Sequence, residues 1–344
     1  MKKLTVILGA GASHSINSKL KERDNEKYRP PLAVDLFLES QAFGDILNRF
    51  PKAQILASYI NKELSLKQEK IGIEQILSSI QKDSEVDSRI KRQFLQIPLY
   101  LNALFGSISN SFTTKPDEYN LLVNACLKNI DDILFLTLNY DCLLEIPIAE
   151  DYTIDFSKEQ DYISNPNWKL IKLHGSINWY RKFRNLAEKP LTEGEYYDYL
   201  NNSNFPLDFS DEFLMVTMKN HNLKNIANDP VYPAITVPVD GKDSNCPKTH
   251  LQTAERFLKT CKNYLVIGTS GKDQDLMSLL EKNSPEAESF LVVGNTQKGA
   301  TDTHTNFTLS VPQFKKNSQI YAEKDGLTSF TYDGTMYEFL KGLK

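Results

Sequence analysis

The chain has 344 residues, which at about 150 residues per domain allows two domains, or one enlarged by an insertion, and excludes a disulfide-stapled mini-scaffold. Hydrophobic residues at 40% and charged residues at 24% match ordinary globular usage, so the chain can bury a core and is not disordered as a whole. A net charge of −4, with no basic tract longer than Arg181-Lys182-Phe183-Arg184, excludes an electrostatic nucleic-acid binder.

The first element is the apolar run Leu4 to Leu8, which leads straight into Gly9. It is too short for a signal peptide or a membrane span and reads as a buried strand. No later apolar run reaches about 18 residues, so a cytoplasmic protein without membrane association is expected. The polar stretch Asn17 to Arg29, closed by Pro30-Pro31, predicts a mobile loop able to act as a lid, before a helix that starts near Leu32. Ile73, Ile76, Leu77 and Ile80 stand at i, i+3, i+4 and i+7, and predict a helix. Val86, Ile90, Phe94, Ile97, Leu101, Leu104 and Ile108 continue a helical stripe, in which Pro98 predicts a kink.

Short β-branched runs follow at Ile133 to Leu138, Lys169 to Leu173, Phe213 to Thr217, Tyr264 to Ile267 and Phe290 to Val293. Several are apolar throughout rather than alternating, as strands of a parallel sheet covered by helices on both faces are. The segment from Trp179 to Asp211 is rich in tyrosine, asparagine and charge, and reads as a small irregular module or flap. Gly326 to the end predicts a short strand and a terminal helix. Cys126, Cys142, Cys246 and Cys261 form no CxxC pair, which predicts buried thiols and no disulfides. The fold class is therefore α/β, a Rossmann-like parallel sheet with a large helical insertion after the first strand. Residues 1–31 and 131–344 would form the sheet domain, with the flap at 176–212, and residues 32–130 the helical module.

The chemistry concentrates at strand ends. Gly9-Ala10-Gly11-Ala12-Ser13 follows the first strand, where missing Cβ atoms allow a sharp turn and close approach of backbone N–H groups to a phosphate. A side chain at Gly11 is expected to block that approach. The dehydrogenase fingerprint GxGxxG is broken by His14, and no acidic strand end follows about 20 residues later. Thr137 to Asp141, His174-Gly175-Ser176 and Gly268-Thr269-Ser270 end three further predicted strands. Ligands of open α/β sheets bind at the carboxyl ends of strands, so these clusters should converge on one edge. Asp273 and Asp275 read as helix-opening residues that complement the dipole.

In these residues the chain resembles the sirtuin-like NAD-binding domain of the bacterial, defence-associated kind. Gly9 to Ser13 resembles the sirtuin GAG-x-S loop, Thr137 to Asp141 the TQNID segment, His174-Gly175 the catalytic HG, Gly268 to Ser270 the GTS, and Val293-Gly294-Asn295 the adenosine-side segment. Ile73 to Leu77 and Asp273-Gln274-Asp275 are similar to the bacterial subgroup. Leu138 stands in place of the glutamine, and the two CxxC pairs of the zinc module are missing, since Cys246-Pro-Lys-Thr-His250 alone cannot make a four-ligand site. The small module is thus expected to be zinc-free, with no metal ligands, and the acceptor to be water rather than acyl-lysine.

The resemblance implies NAD as substrate, bound by Gly9, Ala10, Gly11, Ser13, Gly268, Thr269, Ser270 and Asn295. Asp141 would accept a hydrogen bond from the carboxamide, Asn139 would hold water or a ribose hydroxyl, and His174 would act as general base. The implied function is an NAD glycohydrolase, releasing nicotinamide and ADP-ribose, that acts in anti-phage defence by depleting NAD. The alternatives are a protein deacylase or ADP-ribosyltransferase, and a non-catalytic sensor or scaffold that binds NAD or ADP-ribose. A homo-oligomer built through the helical insertion from Pro31 to Asn129 is expected, with an ATPase of the HerA translocase type as the partner that the resemblance suggests.

Overall fold

The computed structural model describes residues 1–16, 29–38, 41–67, 73–112, 116–184, 192–202, 207–218, 231–237 and 245–344. Apolar runs with no polar alternate face cannot sit at a water boundary, and six strands accordingly line up inside one sheet. They are β1 (Lys3–Leu8), β2 (Asp132–Thr137), β3 (Trp168–Lys172), β7 (Asn263–Ile267), β8 (Ser289–Gly294) and β9 (Ser318–Ala322), in the order β3-β2-β1-β7-β8-β9, with every pairing parallel. Within each run the two side-chain faces still separate. Leu4, Val6, Leu8, Ile133, Phe135, Leu265 and Ile267 enter one core, whereas Ile7, Leu134, Leu136, Ile171, Val266 and Val292 enter another. Both cores are closed by helices, which is why the strands carry no polar stripe.

The helices described, in chain order, are α1 (Ala10–His14), α2 (Gln41–Leu47), α3 (Pro51–Lys67), α4 (Ile73–Val86), α5 (Ser88–Phe94), α6 (Ile97–Ser111), α7 (Asp117–Asn129), α8 (Glu145–Tyr152), α9 (Glu159–Ile163), α10 (Glu193–Asn202), α11 (Lys248–Leu258), α12 (Gln274–Asn283), α13 (Gln297–Ser310), α14 (Leu327–Tyr332) and α15 (Thr335–Gly342). Helix α7 contributes Tyr119, Leu122, Val123 and Cys126 to the first core, while Phe257, Leu276, Leu280 and Phe307 of α11, α12 and α13 fill the second. Helices α2 to α6 build a third core, whose wall includes Ile177, Phe183, Tyr232 and Ile235. The last helix of the expected insertion thus lies on the sheet, and the region expected as a flap supports the helical module.

That region is a correction to the sequence reading. Instead of an irregular flap, β4 (Gly175–Phe183) lies between β5 (Phe209–Met215) and β6 (Val231–Ile235) in an antiparallel sheet. The run near Phe213 therefore belongs to this second sheet and not to the parallel core, in keeping with its partly exposed residues. Pro233 lies in β6 at the sheet edge, where its missing N–H costs no ladder bond. Pro98 does not kink a long helix. The stripe breaks into α5, capped by Asp87 accepting from the Arg89 amide at 2.7 Å, and α6, which carries Pro98 in its first turn, where no donor is required.

Near Leu32 a 3-10 turn over Ala33–Asp35 stands where a helix is expected. Gly326 opens α14 and Gly334 opens α15, whereas the strand, β9, lies earlier in the chain. The lid expected at Asn17 to Arg29 lies, except for Arg29, outside the described residues. Among the described residues no helix is long and apolar enough to cross a membrane. All four cysteines are buried thiols.

Candidate active site

Parallel register brings the strand ends level. Lys172 pairs with Thr137, Thr137 with Leu8, and Leu8 with Ile267, which pairs with Val293. The clusters that follow these residues consequently share the carboxyl edge. The order of strand addition reverses there: β1 leads outward to β2 and β3 on one side, and the return to β7 falls on the other. Between β1 and β7 lies the switch point at which open sheets form their ligand crevice.

Two glycine turns interlock at that point. The Gly11 amide donates to the Gly268 carbonyl at 2.8 Å, and the Gly9 amide to the Ile267 carbonyl at 3.0 Å. Gly268 has φ +67, and a Cβ there would lie 2.0 Å from the Ala12 nitrogen. At Gly11 a Cβ would lie 2.9 Å from the Gly268 Cα and oxygen. The glycines therefore let one turn pack on the other, and a side chain at Gly11 costs stability rather than reporting on nucleotide approach alone. Gly268→Ala should be more severe, because a left-handed φ adds roughly 1–2 kcal/mol to a clash with backbone. We expect its thermal unfolding, followed by circular dichroism, to fall by at least about 5 °C; an unchanged melt would contradict the interlock.

On the β2 side, the Asn139 amide proton binds Thr137 Oγ1 at 3.1 Å, which holds the turn against the strand end. Asn139 Nδ2 donates to Ser13 Oγ at 3.0 Å, and Ser13 Oγ shares a 2.8 Å bond with the Tyr119 hydroxyl of α7. The remaining carboxamide oxygen of Asn139, Oδ1, is buried and has no partner among the described residues. Asp141 is buried beside it. Its carboxylate accepts from the Leu143 amide at 3.1 Å, and burial pushes its pKa up, against the opposing pull of the Lys172 charge.

Behind Asp141 lies an ion pair absent from the sequence reading. Lys172 and Glu145 side chains are 0% and 1% exposed and 2.6 Å apart, and Lys172 Nζ also donates to the Asp141 carbonyl. A lysine closing the apolar run of β3 and a glutamate inside Leu143-Leu144-Glu145-Ile146-Pro147 are the available signals, since charges of these types are rarely buried unless paired. Deeper still, the Ser176 hydroxyl donates to Asn178 Oδ1 at 2.7 Å, while Asn178 Nδ2 and Trp179 Nε1 both donate to the Tyr162 hydroxyl at 3.0 Å. His250, which with Cys246 falls short of a four-ligand zinc site, is buried against the rings of Tyr162 and Trp179. Its Nε2 lies 3.0 Å from the Glu159 carbonyl. Among the described residues no group of His, Cys, Asp and Glu converges as metal ligands.

His174 lies in the turn between β3 and β4 and is held by its neighbour. Gly175 has φ +82, and a Cβ on it would lie 1.8 Å from the Ala234 oxygen, so only glycine lets the chain leave the parallel sheet for β4 at this angle. The Thr236 amide donates to the His174 carbonyl at 2.9 Å. His174 Nε2 lies 2.8 Å from Asp273 Oδ2. Burial alone would raise the Asp273 pKa, but the hydrogen bond and charge of His174 outweigh it and hold the carboxyl below its ordinary value. Asp273 also caps α12, as the dipole reading expects, accepting from the Leu276 amide at 2.8 Å.

The remaining predicted residues spread along the same edge. Ala10 opens α1 partly buried, Thr269 is partly buried, and Ser270 and Asn295 are exposed. The turn at Thr269-Ser270 is strapped to α13 by Thr303 and Asn306, whose side chains donate to its two carbonyls at 2.9 Å. His14 turns from the edge, its Nδ1 2.8 Å from the Pro30 carbonyl.

By architecture this is a doubly wound α/β protein with its polar strand ends gathered at the switch point. Residues 133–303 match the SIR2-like domain family. No curated protein matches the chain. Among solved structures, the chain is similar to a Sir2 homologue–NAD complex (12% identity, 99% of this chain and 88% of that one, TM-score 0.39). It is also similar to a Sir2 homologue in complex with ADP-ribose (12% identity, 99% and 91%, TM-score 0.41) and to Sir2Tm bound to a propionylated peptide (13% identity, 98% and 94%, TM-score 0.39).

Proposed function

We propose that this protein cleaves the N-glycosidic bond of NAD, with water as acceptor, to give nicotinamide and ADP-ribose. The observation that carries the reading is the convergence of Asn139, Asp141 and His174 on the carboxyl edge beside the interlocked glycine turns, with Asn139 Oδ1 buried and without a partner among the described residues. The SIR2-like match over residues 133–303 supports NAD as the ligand of this edge.

Breaking this bond converts a pyridinium into neutral nicotinamide while positive charge grows on the ribose, as in glycoside cleavage. The protein must hold the base, shield the cation and orient the nucleophile. Asn139, fixed through Nδ2 by Ser13, offers Oδ1 to a proton of the attacking water or of a ribose hydroxyl. Asp141 is assigned the carboxamide, His174 the proton taken from water, and Gly9, Ala10, Gly11, Ser13, Gly268, Thr269, Ser270 and Asn295 the phosphates and riboses. Zinc plays no part in this reading, and deacylation is the competing outcome. Incubation with NAD, with and without an acetyl-lysine peptide, separates the two: free ADP-ribose is expected in both, whereas peptide-dependent turnover would establish the deacylase.

An unrestrained hydrolase of NAD would poison its own cell, so the resting protein should be nearly silent and released by a trigger, as a role in anti-phage defence requires. The reading includes a homo-oligomer, supported by the exposed Ile55, Tyr59 and Leu66 of α3 with Val34 and Leu38 nearby in sequence, and an ATPase partner. A swing from 1:99 to 99:1 needs about 5.5 kcal/mol of differential binding, which large interfaces supply. Light scattering should find an oligomer, and turnover should rise at least about tenfold with the partner; a monomer with fast constitutive turnover would leave a housekeeping hydrolase instead.

A further inference from the structure

His174 and Asp273 are joined by geometry that does more than cap a helix. We infer that Asp273 is the positioning residue for His174, fixing the imidazole so that Nδ1 carries the basic lone pair toward the crevice chemistry. Both carboxylate oxygens of Asp273 are spent, Oδ1 on the Leu276 amide and Oδ2 on His174 Nε2, each at 2.8 Å, so the carboxylate is anchored to α12 and cannot rotate away. A carboxylate that accepts from Nε2 keeps the neutral ring's proton there and leaves Nδ1 as the base. The backbone of His174 is fixed independently, by the Gly175 turn and the Thr236 amide, and the Tyr140 ring lies 6.4 Å from the imidazole with its own hydroxyl tied to the Thr236 carbonyl at 2.7 Å. Ring position is thus set by the chain, and tautomer by Asp273. When His174 takes a proton from water, the imidazolium forms beside an anchored anion, the arrangement that orients and stabilises the histidine of a serine-protease triad.

The inference rests on the glycohydrolase reading, and the test separates them. Asp273→Asn preserves the cap, since asparagine serves that position as well as aspartate, but removes the charge and can donate to the ring. It is expected to keep the wild-type melting temperature and a KM for NAD within about twofold, while kcat falls at least about tenfold. Asp273→Ser, a good cap too short to reach the ring, should lose kcat similarly. Nitrogen NMR of the imidazole, assigned by its loss in His174→Gln, should show the Nε2-protonated form in the wild type and a mixture in Asp273→Asn. Wild-type kcat in Asp273→Asn, or an unchanged tautomer, would overturn the positioning role and leave NAD cleavage standing. A wild-type chain that releases no nicotinamide even with its trigger or partner present would overturn both.

Discussion

Replacing Lys172 by methionine is expected to cost the fold about 3–5 kcal/mol, because it leaves the Glu145 carboxylate buried without its cation. The two side chains are fully enclosed and 2.6 Å apart, and no solvent can replace the lost ammonium. Glu145 Oε2 already lacks a partner among the described residues. Burial raises the Glu145 pKa in the native protein, against the pull of Lys172, and without that pull it rises further. An acid whose folded-state pKa is raised stabilises the fold below its unfolded value and loses that contribution as pH rises through the folded one. The variant should therefore be more stable near pH 4 than near pH 8, relative to the wild type. Adding Glu145→Leu should restore most of the loss, since a buried pair can often be exchanged for apolar groups. Urea denaturation checks both points; a single variant within about 1 kcal/mol of wild type would remove the pair from the account of the core.

The second large effect is catalytic. Asn139→Ala and His174→Ala are each expected to lower NAD cleavage by about 10²- to 10⁴-fold, the ordinary worth of a positioned acid–base group. The His174 variant should melt close to wild type, since its side chain is partly exposed and its backbone bond to Thr236 survives. The Asn139 variant removes the bond to Ser13 Oγ but leaves Ser13 paired with Tyr119. Steady-state kinetics with melting curves on the same preparations tell lost chemistry from lost structure. Full activity in both variants would remove the mechanism.

Much of this arrangement is legible in the sequence because it depends on local rules. Apolar runs such as Leu4 to Leu8 and Ile133 to Leu138 can only be strands covered on both faces, and their parallel register places the following glycines and polar residues on one edge without further information. What escapes is whatever depends on contacts between distant segments. Tyr119 meets Ser13 across 106 positions of sequence, and Asp273 reaches His174 from another strand's loop, so the dipole reading of Asp273 is correct locally and incomplete. The second sheet is missed because its strand near Phe213 is read into the parallel core, while β4 runs into a segment rich in tyrosine and charge and β6 is a short edge strand carrying Pro233, which blurs the alternation that announces a strand. Strand β9 escapes for a similar reason, its five residues being mostly half-buried at the rim of the main sheet. Gly11 shows the limit of a motif: its lack of a Cβ is required, but the neighbour that requires it is Gly268.

The most direct test is the stoichiometry of products when the full chain, with its trigger or partner, is given NAD and no peptide. Nicotinamide and free ADP-ribose should appear in equal amounts and disappear together in Asn139→Ala. Nicotinamide released only when an acyl-lysine peptide is supplied, or released equally by Asn139→Ala, would contradict the assignment of this edge to water-dependent NAD cleavage.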